Sequence, residues 1–282
     1  LLIWKGFGVM PELPEVETIC RGLLRAVKGR MFEKVQVIDP RVIRGVSGAV
    51  FQRKLPGRRI VDITRRGKAL IFDLQGLYLM VQPMMTGQVI AVPETQEVPL
   101  AKETKIVFGL SGQWRVFYND QRLFGRLQIL TDPGESAYIR DLGPEPLESG
   151  FTADILAARL KNRTLPVKTA LMDGKCVAGI GNIYAAEILF RAGIDPRRSA
   201  GVLKPREIVR IHRAVRDVLG AAVAMGGTTV RNYRGGDGQE GKYQSVVQVY
   251  GRDGQPCRTC GRSIHRIIQS HRSTFYCPAC QK

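Results

Sequence analysis

"DLGPEPLESGFT", residues 141–152, marks the point where the hydrophobic period of this 282-residue chain changes. The stretch is dense in Pro and Gly and reads as a linker. Upstream lie short β-rich runs: KVQVID (34–39), RIVDIT (59–64), ALIFDL (69–74), LYLMVQ (77–82), QVIAV (88–92), TKIVFGL (104–110), WRVFY (114–118) and LQIL (127–130). Their lengths, and the Gly, Pro and polar turns between them, predict an antiparallel sandwich or barrel. Downstream the period is helical. TADILAARLKNR begins at Thr152, a candidate N-cap, and LPVKTALMD has Pro166 placed for a first turn. NIYAAEILFRAG stops at Gly193, and the run from Lys204 to Gly227 places Ile208, Ile211, Val215, Val218 and Leu219 on one face.

Both ends extend this frame. Residues 11–28 carry Leu13, Val16, Ile19, Cys20, Leu23, Leu24 and Val27 at helical spacing, with Glu12, Glu15, Glu17 and Thr18 off the stripe. YRGGDGQEGKYQ (233–244) reads as a flexible loop, and no internal repeat is evident. The expected fold is therefore multidomain α+β. Its parts are an extension over 1–10, a helix and β-sandwich over 11–143, a linker over 144–152, a helical lobe over 153–244 and a cysteine-rich tail over 245–282.

The tail places Cys257, Cys260, Cys277 and Cys280 as CxxC–x16–CxxC. Each CxxC turn offers two thiolates, and together they fill the tetrahedral shell of one structural zinc, with no position left open for catalysis. His265 and His271 are then spare and exposed, and Cys20 is a core residue. Residues 257–282 contain Arg258, Arg262, Arg266, Arg272 and Lys282 but no Asp or Glu. Over the whole chain 43 Lys+Arg face 25 Asp+Glu, a net charge of +18. Such an excess points to a polyanionic partner, nucleic acid before an acidic membrane surface. With no apolar run of about 18 residues, nothing reads as a membrane span. "LLIWKGFGVM" is too short for a signal peptide, so the expected location is cytoplasmic, at the nucleoid, where thiols stay reduced.

Three stretches then converge: "PELPEVE" (11–17), "GIGNIYAAEILFRAGI" (179–194) and "VYGRDGQPCRTCG…HRSTFYCPACQK" (249–282). Together they resemble a bacterial formamidopyrimidine-DNA glycosylase, and the resemblance runs from Pro11 to Lys282. It implies a β-sandwich lobe, a helix–two-turn–helix lobe and a zinc finger. It also implies a monomeric base-excision-repair enzyme acting on double-stranded DNA with oxidised bases or abasic sites, and no organic cofactor. Oxidised purines such as 8-oxoguanine would be removed and the strand then cut on both sides of the abasic sugar.

In that reading Pro11 is the nucleophile. An α-amine titrates near 8, well below lysine, so a useful fraction is unprotonated at neutral pH. A secondary amine attacking the sugar leaves an iminium, an electron sink that promotes elimination. An acylated proline nitrogen cannot do this, so Met10 is expected to be the initiator and "LLIWKGFGV" no part of the working protein. The resemblance implies proton transfer at the sugar by Glu12 supported by Glu15, although a charge near a helix N-terminus is their simpler explanation. It assigns Lys68, in RRGKAL, to β-elimination and phosphate contact, and Arg272 to δ-elimination and phosphate grip. Asn182 would hold phosphate at a helix start, where it also reads as a plain N-cap. Arg163 and Lys168 would be further DNA contacts.

A flipped base leaves a gap that apolar wedges fill. MMTG (84–87) and DQRLFG (120–125) resemble the family's two wedge loops, with Met85 and Phe124 entering the duplex and Arg122 pairing with the orphaned cytosine. The first loop departs from the family's usual His-Leu-Gly-Met-Ser-Gly, reading QPMMTG from Gln82 to Gly87. Leu123 stands where a basic residue is frequent, and Glu103 where a histidine is. Three other functions stay open: a damage-binding module with Pro11 acylated, an endonuclease VIII-like enzyme preferring oxidised pyrimidines, and a zinc-ribbon transcription protein.

Overall fold

The computed structural model describes residues 10–96, 100–228 and 241–282. Residues 1–9 and most of the 233–244 loop lie outside the described residues. The chain divides into two compact units. One comprises described residues up to 140 together with 225–228 and 241–242; the other comprises 141–224 and 243–282.

The first unit opens with helix α1 (Leu13–Val27). Its residues Leu13, Val16, Ile19, Cys20, Leu23 and Val27 recur every three or four positions and are all buried. The chain continues through β1 (Phe32–Val37), β2 (Ile43–Arg44) and α2 (Gly48–Lys54). Strands β3 (Asp62–Arg66), β4 (Ala69–Asp73), β5 (Tyr78–Gln82), β6 (Gly87–Pro93), β7 (Thr104–Leu110), β8 (Trp114–Asp120) and β9 (Arg126–Leu130) follow, then α3 (Ala137–Asp141). They form a sandwich of a five-stranded sheet, β2-β9-β5-β4-β3, and a four-stranded one, β1-β7-β8-β6. Alternation sets the faces: Thr104, Ile106, Phe108 and Leu110 of β7 point inward. The apolar face of α1 belongs to the same core, which also contains Ile63, Leu70 and Phe72.

All eight expected runs contribute strands. Two elements carry no usable period in sequence, the two-residue β2 and the short helix α2. The sandwich is antiparallel as expected except at one edge, where the two-residue β2 pairs with β9 in parallel.

The second unit holds α4 (Ala153–Leu160), α5 (Val167–Met172), α6 (Asn182–Ala192) and α7 (Pro205–Ala224), then the hairpin of β10 (His265–Gln269) and β11 (Arg272–Tyr276). Thr152 caps α4 by accepting the Ile155 amide at 3.3 Å. Pro166 is the residue before α5 rather than part of its first turn. Gly193 ends α6 in the left-handed conformation (φ 67°), with its N–H turned back to the Leu189 and Phe190 carbonyls. Helix α6 is buried nearly all round and packs against α5, α7 and β11. Among the described residues no helix is long and apolar enough to cross a membrane.

Candidate active site and nucleic-acid interface

In the first unit the site grows from the start of α1. Glu12 is the N-cap, Pro14 pre-sets the first turn, and Glu12 and Glu15 form a reciprocal capping box. Glu15 Oε2 accepts the Glu12 amide at 2.9 Å, and Oε1 accepts the amide of Thr228 at 2.7 Å. Gly227 must be glycine here: its φ is +80° and a Cβ would come within 2.8 Å of Glu15 Oε1. Although both lie off the apolar stripe of α1, Glu12 is 2% and Glu15 3% exposed, because backbone N–H groups replace the water each would lose. Pro11 is buried beside them.

Lys68 lies half-buried in the β3–β4 turn, its amide donating to Tyr138 Oη at 2.9 Å. Arg65 ties this turn to α1: its Nε meets Glu17 at 2.9 Å and its Nη1 donates to the Gly67 carbonyl at 2.9 Å. Sequence reading gave no role to Arg65 and placed Glu17 only off the apolar stripe of α1. The arginine pair 65–66, directly after the RIVDIT run, was the available signal.

The two loops expected to act as wedges, 84–87 and 120–125, stand at the ends of adjacent strands, with Gly87 paired to Asp120. Phe124 is 46% exposed and Met85 half-buried, so neither is a core residue. The Arg122 guanidinium lies 4.8 Å from the centre of the Phe124 ring.

In the second unit Gly181 is the N-cap of α6 and Asn182 the first helical residue, so Asn182 is not the plain cap that its spacing allowed. Its Oδ1 accepts from Lys168 Nζ at 2.6 Å, and its Nδ2 donates to Tyr250 Oη at 3.4 Å. Lys168, expected as a DNA contact, is 1% exposed. Its ammonium also donates to the Ser273 carbonyl (3.1 Å) and Thr274 Oγ1 (2.7 Å), joining the start of α6 to strand β11. Arg163 is ion-paired with Asp173 at 2.7 Å, which raises its pKa, and is not a free basic group. Arg272 is exposed where the hairpin turn delivers β11; Ser270 and His271 both have positive φ, as a two-residue primed turn requires.

Sequence reading also missed Glu187. It is fully buried in α6 and accepts the amides of Gln248, Val249 and Tyr250 at 2.8, 2.9 and 2.9 Å, fixing the segment that leads into the cysteines.

The Sγ atoms of Cys257, Cys260, Cys277 and Cys280 all lie within 4.8 Å of one another. Two of the separations are 3.9 Å (Cys257–Cys280) and 3.5 Å (Cys260–Cys277). Zinc–thiolate bonds of about 2.3 Å in a tetrahedron put sulfurs about 3.8 Å apart, so this donor set fits one structural zinc. His265 and His271 are exposed and take no part.

Three family models match the chain: the formamidopyrimidine-DNA glycosylase N-terminal domain over residues 10–127, the H2TH domain of the same enzymes over 142–234, and the zinc finger found in FPG and IleRS over 254–282. The chain belongs to the formamidopyrimidine-DNA glycosylase family. Relatives bearing that name include one from Pelotomaculum thermopropionicum, 42% identical over 97% of this chain and 99% of its own length. Another, from Moorella thermoacetica, is 45% identical over 92% of this chain and 94% of its own length. The crystal structure of the MutM (Fpg) protein of Thermus thermophilus matches with a TM-score of 0.86 and 39% identity, covering 96% of this chain and 98% of that one. A Lactococcus lactis Fpg mutant bound to DNA containing Fapy-dG matches with a TM-score of 0.90 and 30% identity, covering 96% and 100%. As a member of the family the protein is a DNA repair glycosylase with abasic-site lyase activity, and its cysteine cluster is a structural zinc site.

Proposed function

We propose that the enzyme excises oxidised purines, 8-oxoguanine and formamidopyrimidines, from double-stranded DNA through a Schiff base on Pro11. The observation that carries the reading is the pair of buried carboxylates at the start of α1. Glu15, held by two backbone amides, fixes the turn that carries Glu12 and Pro11. The Pro11 nitrogen attacks C1′ as the glycosidic bond breaks, and the base leaves with a proton. Glu12 delivers a proton to the sugar's ring oxygen as the ring opens, leaving an iminium between C1′ and Pro11. The iminium accepts the electrons released when C2′ loses a proton, and the 3′-phosphate departs. A second elimination expels the 5′-phosphate, and water frees the sugar fragment and the proline. Lys68 serves the first elimination, Arg272 the second, and Asn182 holds backbone phosphate. Met85 and Phe124 fill the stack, and Arg122 reads the opposite cytosine. Lys168 and Arg163 act through Asn182 and Asp173 rather than on DNA.

This reading requires Pro11 to be the mature N-terminus. Protein whose intact mass begins at Pro11 is expected to be trapped covalently by borohydride on a duplex carrying 8-oxoguanine opposite cytosine. No adduct from such protein overturns the proposal. Glu12→Gln is expected to slow excision by about 100-fold, the usual scale for a lost general acid. Faster excision of thymine glycol than of 8-oxoguanine would move the preference to oxidised pyrimidines.

A further inference from the structure

One buried carboxylate holds both wedge loops. Asp120, the last residue of β8, is 0% exposed. Its Oδ1 accepts from Thr86 Oγ1 at 2.5 Å and from the Arg122 amide at 3.2 Å. Its Oδ2 accepts from the Gly125 amide at 2.7 Å and faces Tyr118 Oη at 3.5 Å. The Arg122 amide also reaches Thr86 Oγ1 at 3.0 Å, so the first loop bonds directly to the second. Space around this hub is closed. A Cβ on Gly125 would lie 1.6 Å from Tyr118 Oη and 2.9 Å from Asp120 Oδ2, and one on Gly87 would lie 2.2 Å from the Pro83 carbonyl oxygen. Each loop also keeps a non-glycine residue in the left-handed region, Met84 at φ 55° and Leu123 at φ 58°. Such conformers persist where their surroundings over-determine them.

We propose that Asp120 is a positioning residue that locks the two loops into one rigid reader and thereby sets discrimination of the base opposite the lesion. This rests on the proposed reading of Met85, Arg122 and Phe124. A wedge and an opposite-base reader on separate, mobile loops would have to be ordered at each encounter; bonded to one buried carboxylate they are ordered in advance. The chemistry of the hub makes the point sharp. Asparagine keeps the shape but has one acceptor oxygen and an NH₂ that only donates. Whichever way the amide turns, its NH₂ faces a backbone N–H that can only donate, so it must abandon the amide of either Arg122 or Gly125.

The test compares Asp120→Asn, Thr86→Val and Arg122→Ala with the parent protein in single-turnover excision of 8-oxoguanine opposite cytosine and opposite adenine. Borohydride trapping on single-stranded abasic DNA, which has no opposite base to read, serves as the second readout. Losing hydrogen bonds to a buried charged acceptor is expected to cut excision opposite cytosine, and the cytosine-to-adenine ratio, by about tenfold in Asp120→Asn and Thr86→Val. Trapping on single-stranded abasic DNA is expected to stay within about twofold. If Arg122→Ala loses discrimination while both hub variants keep it, the inference about Asp120 falls and the reading of Arg122 stands. If Arg122→Ala discriminates as the parent does, the reading of the loops fails and the inference fails with it. If the hub variants lose single-strand trapping in the same proportion as excision, Asp120 is only a folding residue and the inference is overturned.

Discussion

Lys168 shows what a single residue's surroundings decide. In the chain it is one of 43 basic residues, and nothing near it in sequence marks it as internal. Its acceptors are 14, 105 and 106 positions away. A buried ammonium is tolerated only when its donors are engaged, and here three acceptors take them. Lys168→Met keeps an unbranched apolar stem, one atom shorter, and takes from Asn182 Oδ1, the Ser273 carbonyl and Thr274 Oγ1 the donor that Lys168 supplies. The expected loss is about 1–3 kcal/mol of stability, measured by denaturant unfolding. Weaker binding of abasic-site duplex should accompany it, because Asn182 loses the partner that orients its amide. An unfolding free energy equal to the parent's would show that the network carries no strain-bearing bond. Glu15 was named in sequence, but its burial was not legible there for the same reason: one amide that satisfies it belongs to Thr228, 213 residues away. Cys257, Cys260, Cys277 and Cys280 were legible because a CxxC turn is a local device whose chemistry is written in its spacing.

At the scale of elements, what the sequence announces is periodicity and punctuation. Helix α7 was legible from its apolar stripe, and α6 from Gly193, whose positive φ closes it. Strand β2 and helix α2 were not, since two residues hold no period and seven barely two helical turns. The start of α7 also hides an ionic clasp. Glu207, in the first turn, accepts the Lys204 amide at 2.8 Å and pairs with both terminal nitrogens of Arg198 at 2.6 and 2.9 Å. The hydrogen bonds from Arg198 lower its pKa from 4.5 to about 2. A carboxyl whose folded value lies below its unfolded one stabilises the fold fully above pH 4.5, and that contribution disappears as the pH falls toward 2. Glu207→Gln should therefore melt below the parent at neutral pH, and the gap should narrow across that acid window. Thermal melts in a pH series check this, and a gap that stays constant down to the lowest pH would sink the clasp.

For the whole molecule, the question is which parts depend on the metal. A two-stranded hairpin such as β10–β11 is marginal by itself in water, and a four-thiolate zinc supplies folding free energy directly. Its apolar support is small: Ile264, Phe275 and Tyr276 are buried within it, with Val249 and Tyr250 in the segment before it. The sandwich unit has a core of its own, built from α1 and both sheets, and the four metal-ligand cysteines all lie outside it. Zinc removal from the full chain with a chelator and a thiol-reactive agent is therefore expected to act on one part. Amide exchange should accelerate across 257–280 and at the start of α6, where Lys168 loses Ser273 and Thr274 as anchors. Exchange in β4, β5 and β8 should keep its parent rate. Binding to abasic-site duplex should collapse in step, because Arg272 is held by the hairpin turn, and zinc added back under reducing conditions should restore both. Loss of protection in the sandwich strands would mean that the metal supports the entire fold. Protection that persists in 257–280 without zinc would mean that hairpin packing alone suffices, so that the four cysteines contribute geometry without stability.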